Sequence, residues 1–270
     1  MIQNTHIIKK QICACIGMVH YHVLAAIIQS VSEFLPISSS AHLTIFSWLT
    51  HESIPVTHKI MLHLGSLLAL MIYYRHFIIS SFLDLFRIKL TQTWVFKLIL
   101  LSLPGVMAGL FLNQHVVSLH TPFVIGSASI VGGILLIGAD LYGRKKDLHE
   151  TENDMTLSNL HAVIIGLFQV FALIPGMSRM GMVITGARCL GIKRINAIHL
   201  AFVSAIPMIA GAILLNFHDL PKTLPMLIST GGITVISYGM ISLMLLLVPE
   251  IGYIWFGIYR ILLGCCILIC

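Results

Sequence analysis

The chain has 270 residues, of which 57% belong to the AVILMFWYC set and only 10% carry charge. Soluble domains run near half apolar and a quarter charged, so a single water-soluble core is excluded and lipid must cover the surplus. The net charge of +6 is spread over short links between apolar segments, a topology signal and not a nucleic-acid-binding stripe.

Residues 1–18, with Lys9 and Lys10, read as a short lead-in to the first membrane element. His20, Tyr21, His22 and Glu33 interrupt the apolar stretch after Lys10, so no cleavable secretory signal is expected. Region 23–49 is broken: an apolar run carries Gln29 and Glu33, then come Pro36 and the serines 38, 39 and 40, then a short apolar stretch from His42. A membrane span needs about 20 mainly apolar residues. Segments 60–74, 95–112, 122–139, 197–217, 226–248 and 253–270 meet or approach that length. Between them lie a basic linker (Arg75, Arg87, Lys89, Lys97), a linker at 113–121 without Lys or Arg, and a mixed one from Arg144 to Asp154. The positive-inside rule puts 75–97 and 143–156 in the cytoplasm and 113–121 outside, which makes 95–112 and 122–139 an antiparallel pair. Region 160–191 is broken like the first, with Gln169, Pro175-Gly176 and Ser178-Arg179 at its centre.

Each half of a broken region is too short to span, and each centre is too polar for lipid. Irregular backbone at membrane depth survives only where it is buried in protein or lines a wet cavity. With Pro36 set on Pro175, Leu35 meets Ile174, Ser39 meets Ser178 and Ser40 meets Arg179, while Gln29 and Gln169 fall one residue out of register. Paired broken elements of this kind point to inverted repeats with a site at their interface; chance similarity is the competing account. The expected fold is therefore an all-α integral membrane protein, a polytopic helical bundle with inverted repeats and two re-entrant broken-helix pairs. Residues 1–270 form one membrane domain with pseudo-repeat halves at 19–142 and 157–270, joined by the cytoplasmic linker 143–156. The six cysteines (13, 15, 189, 265, 266 and 270) make no CxxC pair or metal-finger spacing and read as small hydrophobes.

Glu33 lies four residues after Gln29, on the same helix face. An ionisable residue in a membrane segment is costly and reads as functional, the bland alternative being a helix-end Glu that reaches the headgroups. Ser38, Ser39 and Ser40 suit an N-cap after Pro36, and at least one of them is expected to cap. Three serines with His42 close by exceed what a cap needs, and a helix N-terminus suits a phosphate. Ser and His in reach of each other suit a nucleophile and its base. Arg179, at a second helix start, suits bidentate binding of phosphate oxygens, against the alternative of a headgroup or carbonyl contact. Together these residues make a phosphoryl-transfer inventory. His63 and His199 read as buried, hydrogen-bonded histidines, and Arg188, Lys193 and Arg194 as a boundary near headgroups. Arg260, beside Tyr259, needs a partner or an interface. Gly132-Gly133 and Gly211-Ala212 read as ordinary membrane packing.

The run from Gln29 to His42, QSVSEFLPISSSAH, resembles the first signature of the bacterial undecaprenyl-diphosphate phosphatase (bacitracin-resistance) family, and PGMSRMG at 175–181 resembles its second. Weaker echoes are His63-Leu-Gly65 for a Gln-Leu-Gly segment, the stretch from Ala187 to Gly191, and Ile258-Tyr259-Arg260. The resemblance implies hydrolysis of undecaprenyl diphosphate to the monophosphate, which recycles the lipid carrier for peptidoglycan. It further implies a place in the bacterial inner membrane, a pocket open to the periplasm, room for a homodimer, and dependence on Mg²⁺ or Ca²⁺. By position it assigns catalysis to Glu33, Ser39, His42, Ser178 and Arg179, with Glu33 also at the metal. Gln29, Ser38, Ser40, Gly176 and Gly181 become substrate-binding positions, and Ser39 and His42 both remain open as the nucleophile. Ser40 stands where Thr is usual, Ala41 where Gly is, Met180 for Ser, Val183 for Thr and His199 for Glu. The core inventory is kept while its surroundings have lost hydroxyls and a carboxylate.

Two other readings use the same features. A transporter of an anionic lipid or small anion also uses half-helix N-termini and an Arg at the midplane, and phosphate release separates it from an enzyme. An inactive relative kept as a scaffold is the other.

Overall fold

The structure is a computed structural model that describes Tyr21 and residues 23–54, 56–147, 157–215 and 224–269. The lead-in 1–18, Cys13, Cys15, Cys270 and the 148–156 part of the expected linker lie outside the described residues. Among the described residues every regular element is helical. In chain order these are α1 (Val23–Ser32), α2 (Ser39–Thr50), α3 (Val56–Tyr73), α4 (Arg75–Asp84), α5 (Trp94–Ser118), α6 (Pro122–Asp147), α7 (Asn159–Val170), α8 (Arg179–Cys189), α9 (Arg194–Leu215), α10 (Leu224–Ile251) and α11 (Ile254–Ile269).

Among the described residues four helices are long and apolar enough to cross a bilayer: α5, α6, α9 and α10. Phe111, Phe123, Val235, Leu246 and Leu262 stand exposed on their own helices, as side chains that meet acyl chains do. This is a multi-pass membrane protein.

The structure corrects three expectations of organisation. The basic stretch 75–97 is not all linker: α4 occupies 75–84 and leaves α3 at a bend of 71°, so 60–74 is one arm of a sharply bent helix pair. Lys and Arg do not end a helix, so charge marked a boundary that the backbone ignores. Segment 253–270 folds as α11, a 16-residue helix shorter than a span. Segments 95–112 and 122–139 are joined by a short turn, but their main partners differ: α5 packs on α7 and α6 on α11.

The α6–α11 pair is close because its seam is small. A Cβ on Gly133 would stand 2.6 Å from the Gly257 carbonyl oxygen, and one on Gly264 would stand 2.5 Å from that of Gly126. This is small-residue packing of the kind expected in a membrane, where burial itself gives helices little reason to associate. Gly211, by contrast, faces open space.

A buried charge cluster ties together the ends of α6, α8 and α9 and the junction of α10 with α11. Asp140 accepts two bonds from Arg194, at 2.9 and 2.7 Å, and one from the Tyr253 backbone N–H at 3.1 Å. Arg188 Nε lies 3.3 Å from Asp140 Oδ1, and both side chains are wholly buried. Arg188 is wholly buried and Arg194 partly so, and the Asp140 carboxylate partners both.

Candidate active site

Both broken regions turn through a serine at positive φ immediately before their second helix. Inside α1 the Ser30 and Ser32 hydroxyls bond back to the carbonyls of Ala26 and Ile28, at 2.7 and 2.5 Å, which keeps polar groups satisfied inside the helix. The Glu33 N–H still bonds Gln29 at 2.9 Å; Pro36 then offers no N–H, and Ser38 turns to φ 73° before α2 begins. In the second region Gly176 sits at φ 100° and Ser178 at φ 64°, immediately before α8. A Cβ on Gly176 would strike the Ile125 carbonyl oxygen at 2.5 Å, so position and conformation both require glycine. Non-glycine residues at positive φ cost about 1–3 kcal/mol each and concentrate at functional sites.

These strained serines re-register the internal likeness by one residue. An offset of 140 takes Ser38 to Ser178 and also takes Gln29 to Gln169, so the two glutamines are in step and both are buried. The same offset sets Ser39 against Arg179 and Glu33 against Leu173. One region carries the acid and the hydroxyl, the other the base.

The two regions meet across an ion pair. Arg179 Nη2 donates to Glu33 Oε1 at 2.8 Å, across 146 residues of chain. The other carboxylate oxygen, Oε2, accepts from the Ser39 hydroxyl at 2.6 Å and from Gln29 Nε2 at 3.0 Å. The pocket at this junction has a volume of about 160 Å³, and Glu33, Ser38, Ser39, Ser40, Ser178 and Arg179 all line it. Two helix N-termini open on it. The Ser178 hydroxyl accepts from the Gly181 N–H at 3.1 Å and so caps α8. α2 has no such cap: the Ser38 hydroxyl makes no capping bond and pairs with Ser40 Oγ at 3.1 Å. The capping role expected of these serines is thus absent at Ser38, and the first N–H groups of α2 stay available to an anion.

His42 stands one turn along α2 and is not among the residues lining the pocket. Its Nδ1 lies 2.8 Å from the Ser38 carbonyl oxygen and its Nε2 lies 2.7 Å from the Tyr259 hydroxyl, with the two rings stacked. A carbonyl can only accept, so Nδ1 carries the proton and Nε2 accepts from Tyr259. The hydroxyl of Ser39 is paired with Glu33 and not with His42. Gly176 and Gly181 do not line the pocket either. The Gly176 carbonyl accepts from Arg260 at 3.0 Å, as does the Met177 carbonyl at 2.7 Å, and Gly181 leaves room for the same guanidinium. Arg260 is therefore a buried strut beneath the second break. Gln29 supports the pocket from behind, through Glu33 and through His63 Nδ1 at 3.3 Å. His63 is hydrogen-bonded as the sequence implies but only half-buried, and it lines the pocket. His199 is a partnered histidine as expected, with its Nδ1 2.7 Å from the Tyr74 hydroxyl.

Glu33 is the one carboxylate of the pocket, and no group of three or more His, Cys, Asp or Glu gathers among the described residues. That donor set does not make a protein-built metal cage. It fits an ion of the Mg²⁺ kind, which is held by one or two carboxylates together with substrate phosphates.

Comparison with known proteins accounts for nearly the whole chain. Residues 22–266 match the family described as "Bacitracin resistance protein BacA". A protein of Maricaulis maris named undecaprenyl-diphosphatase is 35% identical over 269 residues, covering 92% of this chain and 97% of the relative. One of Elusimicrobium minutum with the same name is 34% identical, covering 92% and 96%, and one of Pelobacter propionicus is 37% identical, covering 77% and 78%. With its pocket at the junction of two broken helix pairs and its sequence matched almost end to end, the chain belongs to the bacitracin resistance protein BacA family.

Proposed function

We propose that this protein hydrolyses undecaprenyl diphosphate to undecaprenyl phosphate and inorganic phosphate, returning the carrier lipid to peptidoglycan synthesis. The observation that carries the reading is the Glu33–Arg179 pair, which sets a cation, a carboxylate and a serine hydroxyl at two helix N-termini in one small pocket. A store of positive charge beside a hydroxyl that is already bonded to a proton acceptor suits phosphoryl transfer better than anion transport.

The reaction follows from these contacts. The terminal phosphoryl group enters between the α2 N-terminus and Arg179, whose guanidinium takes up its non-bridging oxygens. Ser39 Oγ attacks the terminal phosphorus as its proton passes to Glu33 Oε2, 2.6 Å away. The bridging P–O bond breaks, and undecaprenyl phosphate leaves with the bond's electrons and takes the proton from Glu33, which is a carboxylate again. Water then attacks the phosphoserine with Glu33 in the pocket as base, and inorganic phosphate leaves as Ser39 regains its proton. Ser178 holds the start of α8, and His42 with Tyr259 braces the α2 turn behind Ser38. A divalent cation, Mg²⁺ or Ca²⁺, would arrive with the diphosphate and be held by Glu33, where it would neutralise phosphoryl charge.

The same proposal places the protein in the bacterial inner membrane, with basic linkers in the cytoplasm and the pocket open to the periplasm. Self-association into a homodimer is carried over from the family resemblance and is read by mass in detergent. The test of the whole is purified full-length protein in detergent with a polyprenyl diphosphate, scored for phosphate with and without divalent cation. Phosphate release above a heat-treated control is expected; binding without release favours a transporter.

A further inference from the structure

His63 is the imidazole that lines the pocket, and the proposed reaction does not use it. It stands on α3 and lines the pocket together with Glu33, Ser39 and Arg179. Two residues on, α3 packs on α10, where the Thr234 hydroxyl lies 3.2 Å from the Gly65 carbonyl while bonding the Thr230 carbonyl at 2.8 Å. A Cβ on Gly65 would meet Ile233 at 2.5 Å, so α3 and α10 cannot slide past each other without a clash.

Gln29 decides which ring nitrogen carries the proton. Its Nε2 lies 3.0 Å from Glu33 Oε2 and 3.3 Å from His63 Nδ1. An ionised carboxylate only accepts, so the amide nitrogen faces Glu33 and its two N–H groups serve both neighbours. Nδ1 of His63 is then the acceptor, and Nε2 carries the ring's N–H. No described protein atom bonds to that N–H. The chain Glu33–Gln29–His63 thus converts a carboxylate at the back of the pocket into a fixed donor at its wall.

We infer that His63 is a further substrate-binding residue whose Nε2–H donates to a phosphoryl oxygen of the polyprenyl diphosphate opposite Arg179. The inference rests on the phosphatase function proposed for this pocket. It separates two jobs: Arg179 supplies charge to the anion, and His63 supplies a directed hydrogen bond.

The experiment is a His63 series in purified full-length protein, with wild type and Arg179→Ala as calibrants. Two quantities are read: kcat and KM for phosphate release from polyprenyl diphosphate, and the Kd of inorganic phosphate by calorimetry. Turnover by wild type and its loss in Arg179→Ala test the function; the His63 series then tests this residue. His63→Leu is expected to lose about 10- to 100-fold in kcat/KM and to weaken phosphate binding by about tenfold, the worth of one hydrogen bond to a charged group. His63→Gln keeps an N–H donor, and is expected to recover most of that loss. A His63→Gln protein as impaired as His63→Leu overturns the donor role. So does unchanged phosphate affinity in His63→Leu. His63→Met carries the same test if His63→Leu does not come out folded. Should wild type release no phosphate, the calorimetric arm alone decides whether His63 binds the anion.

Discussion

Arg179→Ala is the perturbation with the most to say, because the side chain has one function in the fold and another in the pocket. Its Nη2 neutralises Glu33 at 2.8 Å, and its Nη1 reaches the Ala201 carbonyl at 3.4 Å. Breaking a fully buried pair costs about 3–5 kcal/mol, an exposed one about 0–1. With 19% of the Arg179 side chain exposed and 7% of Glu33, the loss falls between, at about 1–3 kcal/mol. That weakens a membrane protein without unfolding it. The catalytic loss is larger: removing a preorganised donor from developing charge costs about 10²- to 10³-fold in kcat. Phosphate release per folded molecule is the assay, with folded protein counted by size-exclusion chromatography in detergent. Arg179→Lys keeps the charge but not the planar fork, and should fall between wild type and Arg179→Ala. An Arg179→Ala protein within threefold of wild type in kcat would refute the argument, because the pair would then be a structural brace alone.

Ser39→Ala removes the proposed nucleophile and one donor to Glu33, and turnover should fall by at least about 10²-fold while phosphate binding persists. Near-normal turnover would move the attack to His42 or to water. Asp140→Asn strips the counter-charge from Arg188 and Arg194, and the loss of a buried partner should cost about 3–5 kcal/mol. Thermal inactivation in detergent should come several degrees earlier with kcat unchanged at low temperature, and a wild-type midpoint would show that carbonyls alone satisfy the two arginines. Single cysteines at Ser118 and Lys145, in a background without native cysteines, report sidedness. An impermeant thiol reagent applied to spheroplasts should label the first and not the second, and the opposite pattern would invert the topology.

Much of the site was legible as chemical anomaly. Glu33, the serine run and Arg179 stand out because polar and charged groups are costly in apolar sequence unless the fold has a use for them. The same cost made the two broken regions visible, since Pro36 and Pro175-Gly176 interrupt runs otherwise fit to span. The pairing within the site was not legible. Proximity along the chain suggested Ser39 with His42, but α2 begins after Ser38 turns to positive φ, and that turn aims Ser39 at Glu33 and His42 at Tyr259. Matching the prolines put the internal repeat one residue out. The strained serines correct it, because backbone conformation and not residue type defines equivalence.

His63 shows the limit most clearly. A histidine in an apolar run reads as core from its neighbours in sequence, and only the packing of α3 on α10 decides which wall it faces. Arg188 and Arg194 likewise read as headgroup contacts, since the carboxylate that satisfies them, Asp140, lies about fifty residues away on another helix. The solvent, the broken elements and the residue types of the site are readable from residue order, because transfer free energy and backbone hydrogen bonding act residue by residue. The partners come from the fold, because Coulomb and hydrogen-bond energies depend on distances of about 3 Å between atoms that the chain places far apart in sequence.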